Sequence, residues 1–145
     1  MTRASNDLPF VLRVVDLLAE EGFSTWLFGG WAEELRGLVA PRAHRDVDLL
    51  YPAPDFNRLD AFFLSSRVDE VGDDRAYARA FELDGITVEL LLVSRDADGW
   101  FTDFRQGRHR WPADVFTRAA NPSVASADAL TGYRAAYASL HARAA

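Results

Sequence analysis

Apolar residues recur at Leu8, Val11, Leu12, Val14, Val15, Leu17 and Leu18, with acids at Asp16, Glu20 and Glu21. This spacing predicts an amphipathic helix, ended by Gly22 and packed on a sheet. Thr25 to Phe28 is then a short apolar run, Gly29-Gly30 turns the chain, and Trp31 to Leu38 carries helix-forming residues up to Gly37. The order is strand, glycine turn, helix. A polar link from Ala40 to Arg45 leads into Asp46 to Tyr51. On a strand, Asp46, Asp48 and Leu50 share one face while Val47, Leu49 and Tyr51 share the other, so both aspartates point the same way. Pro52 and Pro54 close that strand, and Asp55 is placed to cap a helix with Phe56, Leu59, Phe62, Phe63 and Leu64.

Two more strand-like runs, Tyr77 to Leu83 and Ile86 to Val93, flank Asp84-Gly85, a strong signal for a two-residue hairpin. From Asp96 to Asn121, Trp100, Phe101, Phe104, Trp111 and Phe116 stand among polar residues without a period, and short strands or a ligand-facing loop fit equally. Ser126 is placed to cap a last helix, Ala127 to about Arg143, with Leu130, Tyr133, Ala136, Tyr137 and Leu140 on one face. No repeat and no linker interrupts this series. The expected class is α/β, α+β in stricter usage: a small mixed β-sheet with the acids on one side and helices packed on the other. At 145 residues the chain fits one domain, residues 1–145, with one compact site.

Composition narrows the chemistry. A hydrophobic fraction of 49% suits a packed globule. A net charge of -6 disfavours a broad polyanion-binding surface and leaves room for a local phosphate pocket, so nucleic acid is not the expected partner. All 16 basic residues are Arg, from which no function follows. The absence of cysteine removes disulfides, thiolate zinc sites and cysteine nucleophiles together, and fits a cytoplasmic location. No apolar run reaches the roughly 18 residues of a membrane span, and the first 25 residues are broken by charge, so neither insertion nor secretion is expected.

The candidate site grows from the acidic strand. Alternate residues on a strand lie about 6.5 Å apart, from which Asp46 and Asp48 can grip one or two Mg²⁺ ions at about 2.0–2.1 Å per oxygen. A bare Asp-x-Asp is more often a solvated edge, so its neighbours decide. Glu89 interrupts the apolar run Ile86 to Val93, where an unpaired carboxylate is costly to bury, so a cation or an arginine is expected beside it. If that strand lies beside the Asp46 strand, three acids converge and a divalent ion is their natural partner; the plain alternative is an Arg–Glu89 salt bridge. Gly29 and Gly30 let a triphosphate approach the backbone at the start of the following helix. Arg42 and His44, just before the acidic strand, are placed to reach phosphates. His44, His109 and His141 lack zinc-like spacing, and neither a Gly-x-Ser-x-Gly elbow nor a lysine-bearing phosphate loop is present.

Gly29-Gly30-Trp31-Ala32, then Arg36, then Arg42-x-His44-x-Asp46-Val47-Asp48-Leu49 resembles the small antibiotic nucleotidyltransferases that modify aminoglycosides and lincosamides, within the superfamily related to DNA polymerase beta. The likeness continues through Val88-Glu89-Leu90, Asp98-Gly99, the Trp111-Pro112 to Phe116 segment, and Val124-Ala125-Ser126 leading to Gly132-Tyr133. It implies a nucleotidyltransferase fold, metal binding by Asp46 and Asp48 with Glu89 as the third acid, and a triphosphate held by Gly29 and Gly30. The chain departs from the wider superfamily in Gly-Gly for Gly-Ser, in Glu for Asp as third acid, and in a short C-terminal region.

The expected reaction moves a nucleoside monophosphate from ATP or another Mg²⁺-bound triphosphate to a hydroxyl of a small acceptor, with two Mg²⁺ ions and release of pyrophosphate. Asp46, Asp48 and Glu89 act on the metals, Glu89 as ligand or general base, while Arg42 and His44 steady the phosphates. Two rivals use the same residues: a nucleotide-binding module that has lost transfer and acts as a sensor or as part of a protein pair, and a metal-dependent phosphohydrolase with water as acceptor. A monomer or a homodimer is expected.

Overall fold

The computed structural model of the chain describes residues 5–65, 68–72 and 75–141. Helix α1 (Leu8–Glu20) begins at Asp7, whose carboxylate accepts a hydrogen bond from the Phe10 amide at 3.0 Å. Gly22, at φ +86°, ends it, as a left-handed residue commonly does. Strand β1 (Trp26–Phe28) runs directly into the seven-residue helix α2 (Gly29–Leu35). The acidic strand β2 (Asp46–Pro52) and helix α3 (Asn57–Leu64) follow, with Asp55 accepting from the Asn57 amide at 2.9 Å. Then come β3 (Asp69–Val71), β4 (Ala78–Leu83), β5 (Ile86–Asp96), β6 (Gly99–Phe104), β7 (Gly107–Arg110) and α4 (Ala127–Leu140). Ser126 caps α4 by accepting from the Ala129 amide at 3.1 Å, and the expected end of that helix near Arg143 lies outside the described residues.

The sheet runs β1-β2-β5-β4-β3, and only β2 and β5 are parallel among its neighbours. The β4–β5 turn uses Asp84 and Gly85 at φ +53° and +79°, the pair of positive values that a tight hairpin with right-twisted strands needs. Strand β5 outruns its partners, and its last residues, Ser94 to Asp96, pair with β6, which pairs in turn with β7. Strands therefore occupy much of the irregular region after Asp96, and the segment beyond Arg110 is a loop. That loop is pinned beside β1, where the Leu27 amide donates to Ser123 O at 2.8 Å and the Ala125 amide to Leu27 O at 2.9 Å.

Alternation along β2 decides what each face of the sheet meets. Val47, Leu49 and Tyr51 are buried, and Tyr51 meets the Phe23 ring at 5.9 Å while Phe63 of α3 meets Phe81 of β4 at 5.8 Å. Asp48 and Glu89 lie on the other face, and α4 covers its apolar end, with Tyr133 against Phe28 at 5.6 Å and Phe104 at 5.8 Å. Cover is needed there because Leu50 and Leu91, next along that face, are 0% and 2% exposed. The mixed sheet and its helices thus match the expected class, with one helix also placed over the acidic side. No helix among the described residues is long and apolar enough to cross a membrane.

Candidate active site

Parallel pairing of β2 and β5 sets Asp48 opposite Glu89 and Asp46 opposite Thr87. Residues paired across neighbouring strands are about 5 Å apart with side chains on the same face, so the Asp48 and Glu89 carboxylates stand side by side. Asp46 lies at the exposed start of the strand. The Asp48 carboxyl is pushed up to about 7, first by burial and then by the negative charges of Glu89 and Asp46, while Arg75 pulls the other way. Glu89 has the arginine neighbour that its position in an apolar run demanded: Arg75 Nη2 lies 3.1 Å from its Oε2. With Glu89 drawn to Arg75 and Asp46 at the rim, the three acids are not closed around a point, and no group of three or more His, Asp or Glu side chains among the described residues forms a ready metal cage.

The glycine turn is fitted to these acids. Gly29 has φ +69°, and a Cβ there would lie 2.5 Å from Asp48 Oδ2, so both its conformation and its neighbour require glycine. A Cβ on Gly30 would lie 2.9 Å from both Arg42 Nη2 and His44 Nδ1. His44 is set behind this turn: its Nε2 is 2.9 Å from Glu34 Oε1, its ring is 4.3 Å from that of Trp31, and its side chain is 4% exposed. Glu34 also accepts from the Arg42 amide at 2.9 Å, tying the 42–44 segment to α2. These two bonds, the amide first, hold the Glu34 carboxyl below its ordinary range.

Gly29, Gly30, Arg42, Asp48 and Glu89 line one cavity of about 610 Å³, whose wall includes neither Asp46 nor His44. Sequence reasoning missed the rest of the lining. Glu33 of α2, 8% exposed, accepts from Arg134 of α4, with Nε to Oε2 at 2.6 Å. Nearby, Tyr133 Oη and His141 Nε2 share a hydrogen bond of 2.9 Å, and burial pushes the Tyr133 phenol up and the His141 imidazole down. Glu33 and Arg134 are 101 residues apart, so no local spacing announces the pair. Aromatic Tyr133 and Tyr137 were legible only as an apolar helix face, and Tyr137 remains 54% exposed at the cavity.

The sequence profile of the aminoglycoside-2''-adenylyltransferase family matches residues 10–130. No curated protein matches the chain. Among solved structures, the crystal structure of ANT(2'')-Ia in complex with adenylyl-2''-tobramycin superposes with a TM-score of 0.65 at 18% identity, over 90% of this chain and 75% of that one. The lincomycin-bound lincosamide antibiotic adenylyltransferase LnuA gives 0.59 at 16% identity, over 79% and 73%. A solution structure of ANT(2'')-Ia gives 0.53 at 21% identity, over 85% and 62%. At such identities the superpositions establish the nucleotidyltransferase fold, and the profile, spanning most of the chain, establishes the family. The chain belongs to the aminoglycoside-2''-adenylyltransferase family and is a nucleotidyltransferase enzyme.

Proposed function

We propose that the protein transfers a nucleoside monophosphate, adenylate foremost, from a magnesium-bound triphosphate to a hydroxyl of a small molecule of the aminoglycoside or lincosamide kind. The observation that carries this reading is the in-register Asp48–Glu89 pair facing the Gly29-Gly30 turn within one cavity. The donor chemistry fits magnesium. All three candidate ligands are hard carboxylate oxygens, and burial beside Glu89 and Asp46 raises the Asp48 pKa, so added positive charge there would favour its carboxylate form.

In this mechanism the Gly29 and Gly30 backbone admits the triphosphate, and Arg42 pairs with its oxygens through a planar fork. His44 steadies that arrangement from behind, through Glu34 and the turn. Asp46 and Asp48 are the residues that would hold the ions, and bound there the ions would supply charge neutralisation for the leaving pyrophosphate and for the acceptor oxygen. Glu89 would complete the oxygen set around a metal or take the hydroxyl proton. The acceptor oxygen bonds to the α-phosphorus as the α–β phosphoanhydride bond breaks, and pyrophosphate departs in line. A net charge of -6 favours a cationic acceptor.

The test is pyrophosphate release across a panel of triphosphates, aminoglycosides and lincosamides with Mg²⁺. Acceptor-dependent release and a nucleotidylated product are expected, and both should vanish in Asp46→Asn and Asp48→Asn variants that remain folded. Nucleotide binding without release would identify a binding module, release without an acceptor a phosphohydrolase, and undiminished turnover in either variant would remove the mechanism.

A further inference from the structure

We propose that Arg75 is the resident counter-ion of this site: it holds Glu89 while no divalent ion is there, and yields the carboxylate when a metal-bound triphosphate enters, turning toward the phosphates. The proposal rests on the nucleotidyltransferase reading. It begins from the 3.1 Å ion pair between Arg75 and Glu89, whose side chains are 29% and 26% exposed. The pair is sheltered enough for its charges to matter and open enough to be exchanged.

Geometry keeps the guanidinium inside the cavity on either side of that exchange. Arg75 and Glu89 both line the cavity, and the guanidinium carbon sits 5.5 Å from the centre of the Tyr77 ring. An arginine stacked on an aromatic face retains part of its stabilisation when its carboxylate partner is taken. Its neighbours in the cavity have other engagements: Arg134 is forked onto Glu33, and Arg42 abuts Gly30 at the phosphate end. The charged and titratable groups whose fields meet that of Arg75 include Glu89, Asp48 and His141. Two of these three are the acids expected to hold metal, so arginine and metal compete for one cluster of negative charge.

The experiment measures Mn²⁺ binding without nucleotide by electron paramagnetic resonance of the free ion, in the wild type, Arg75→Met, Arg75→Lys and Asp48→Asn. Arg75→Met should bind Mn²⁺ about tenfold more tightly, as expected when one competing unit charge is removed from a partly sheltered site. Arg75→Lys, which keeps the charge, should stay within about threefold of wild type. The KM for the triphosphate should rise in Arg75→Met even as metal affinity improves, because the phosphates lose a partner. Arg75→Gln supplies a second neutral variant should the methionine variant not fold. Unchanged or weaker Mn²⁺ binding in the neutral variant, with binding lost in Asp48→Asn, overturns the role of Arg75 alone. Mn²⁺ binding that survives Asp48→Asn overturns the metal-site reading and this proposal with it.

Discussion

At the scale of single residues, Asp48 carries the sharpest consequence. Its pKa rises from the ordinary 3.8 to about 7 in the fold, so the folded chain binds that proton more tightly than the unfolded chain does. The contribution to stability is therefore greatest below pH 4 and is lost as pH climbs toward 7. For a half-buried carboxyl we expect about 2 kcal/mol across that window in the metal-free protein. Asp48→Asn should remove this slope in denaturant titrations at stepped pH, leaving the opposite slope of His109 and His141, whose pKa values burial lowers. A wild type and variant with parallel pH profiles would show that Asp48 titrates normally. Gly29 offers a second test. Gly29→Ala meets both a positive φ and Asp48 Oδ2, and should lose about 1–3 kcal/mol together with turnover. Gly37→Ala, at φ +72° with nothing within 4 Å, should lose about 1 kcal/mol and keep turnover.

At the scale of elements, the link between α2 and α4 comes forward. Arg134 is mostly exposed, yet its partner Glu33 is buried, so removing the arginine strands a carboxylate with little water around it. Arg134→Ala should cost about 1–3 kcal/mol, and Glu33→Gln in that background should recover part of the loss in a double-mutant cycle followed by thermal melts. Full additivity of the two changes would mean the pair is not coupled. Elements whose own residues dictate them were legible in the sequence: the Asp84-Gly85 hairpin, the cap at Ser126, the period-two acidic strand. Pairings between distant elements were not. Nothing near Glu89 says that its arginine is Arg75, nothing near Arg134 names Glu33, and nothing near His44 names Glu34, which belongs to another element. The stretch after Asp96 hid its strands for a related reason: β6 puts aromatic rings on both faces, Phe101 on one and Trp100 and Phe104 on the other, and β7 has no aliphatic residue, so no apolar–polar alternation marks them.

At the scale of the whole molecule, net charge becomes a kinetic property. A surplus of six negative charges raises the local concentration of cationic acceptors, and mobile ions screen that field over about 10 Å at 0.1 M salt. Under the proposed function, kcat/KM for a polycationic acceptor should fall severalfold between about 50 and 500 mM salt, and that for an uncharged acceptor should change little. Equal salt sensitivity for both would assign the effect to the nucleotide instead. The order of the sheet has a different outcome. Because β5 bears Glu89 in its first half and hands its far end to β6, one continuous backbone sets the spacing between the Glu89 carboxylate and the Phe104 end of the cavity wall. Such a shared rail leaves little freedom to widen the chamber by shifting main chain. Descendants of this fold that take on larger or smaller acceptors should do so by exchanging side chains along the rail and on α4, each swap altering selectivity while catalytic registry stays put.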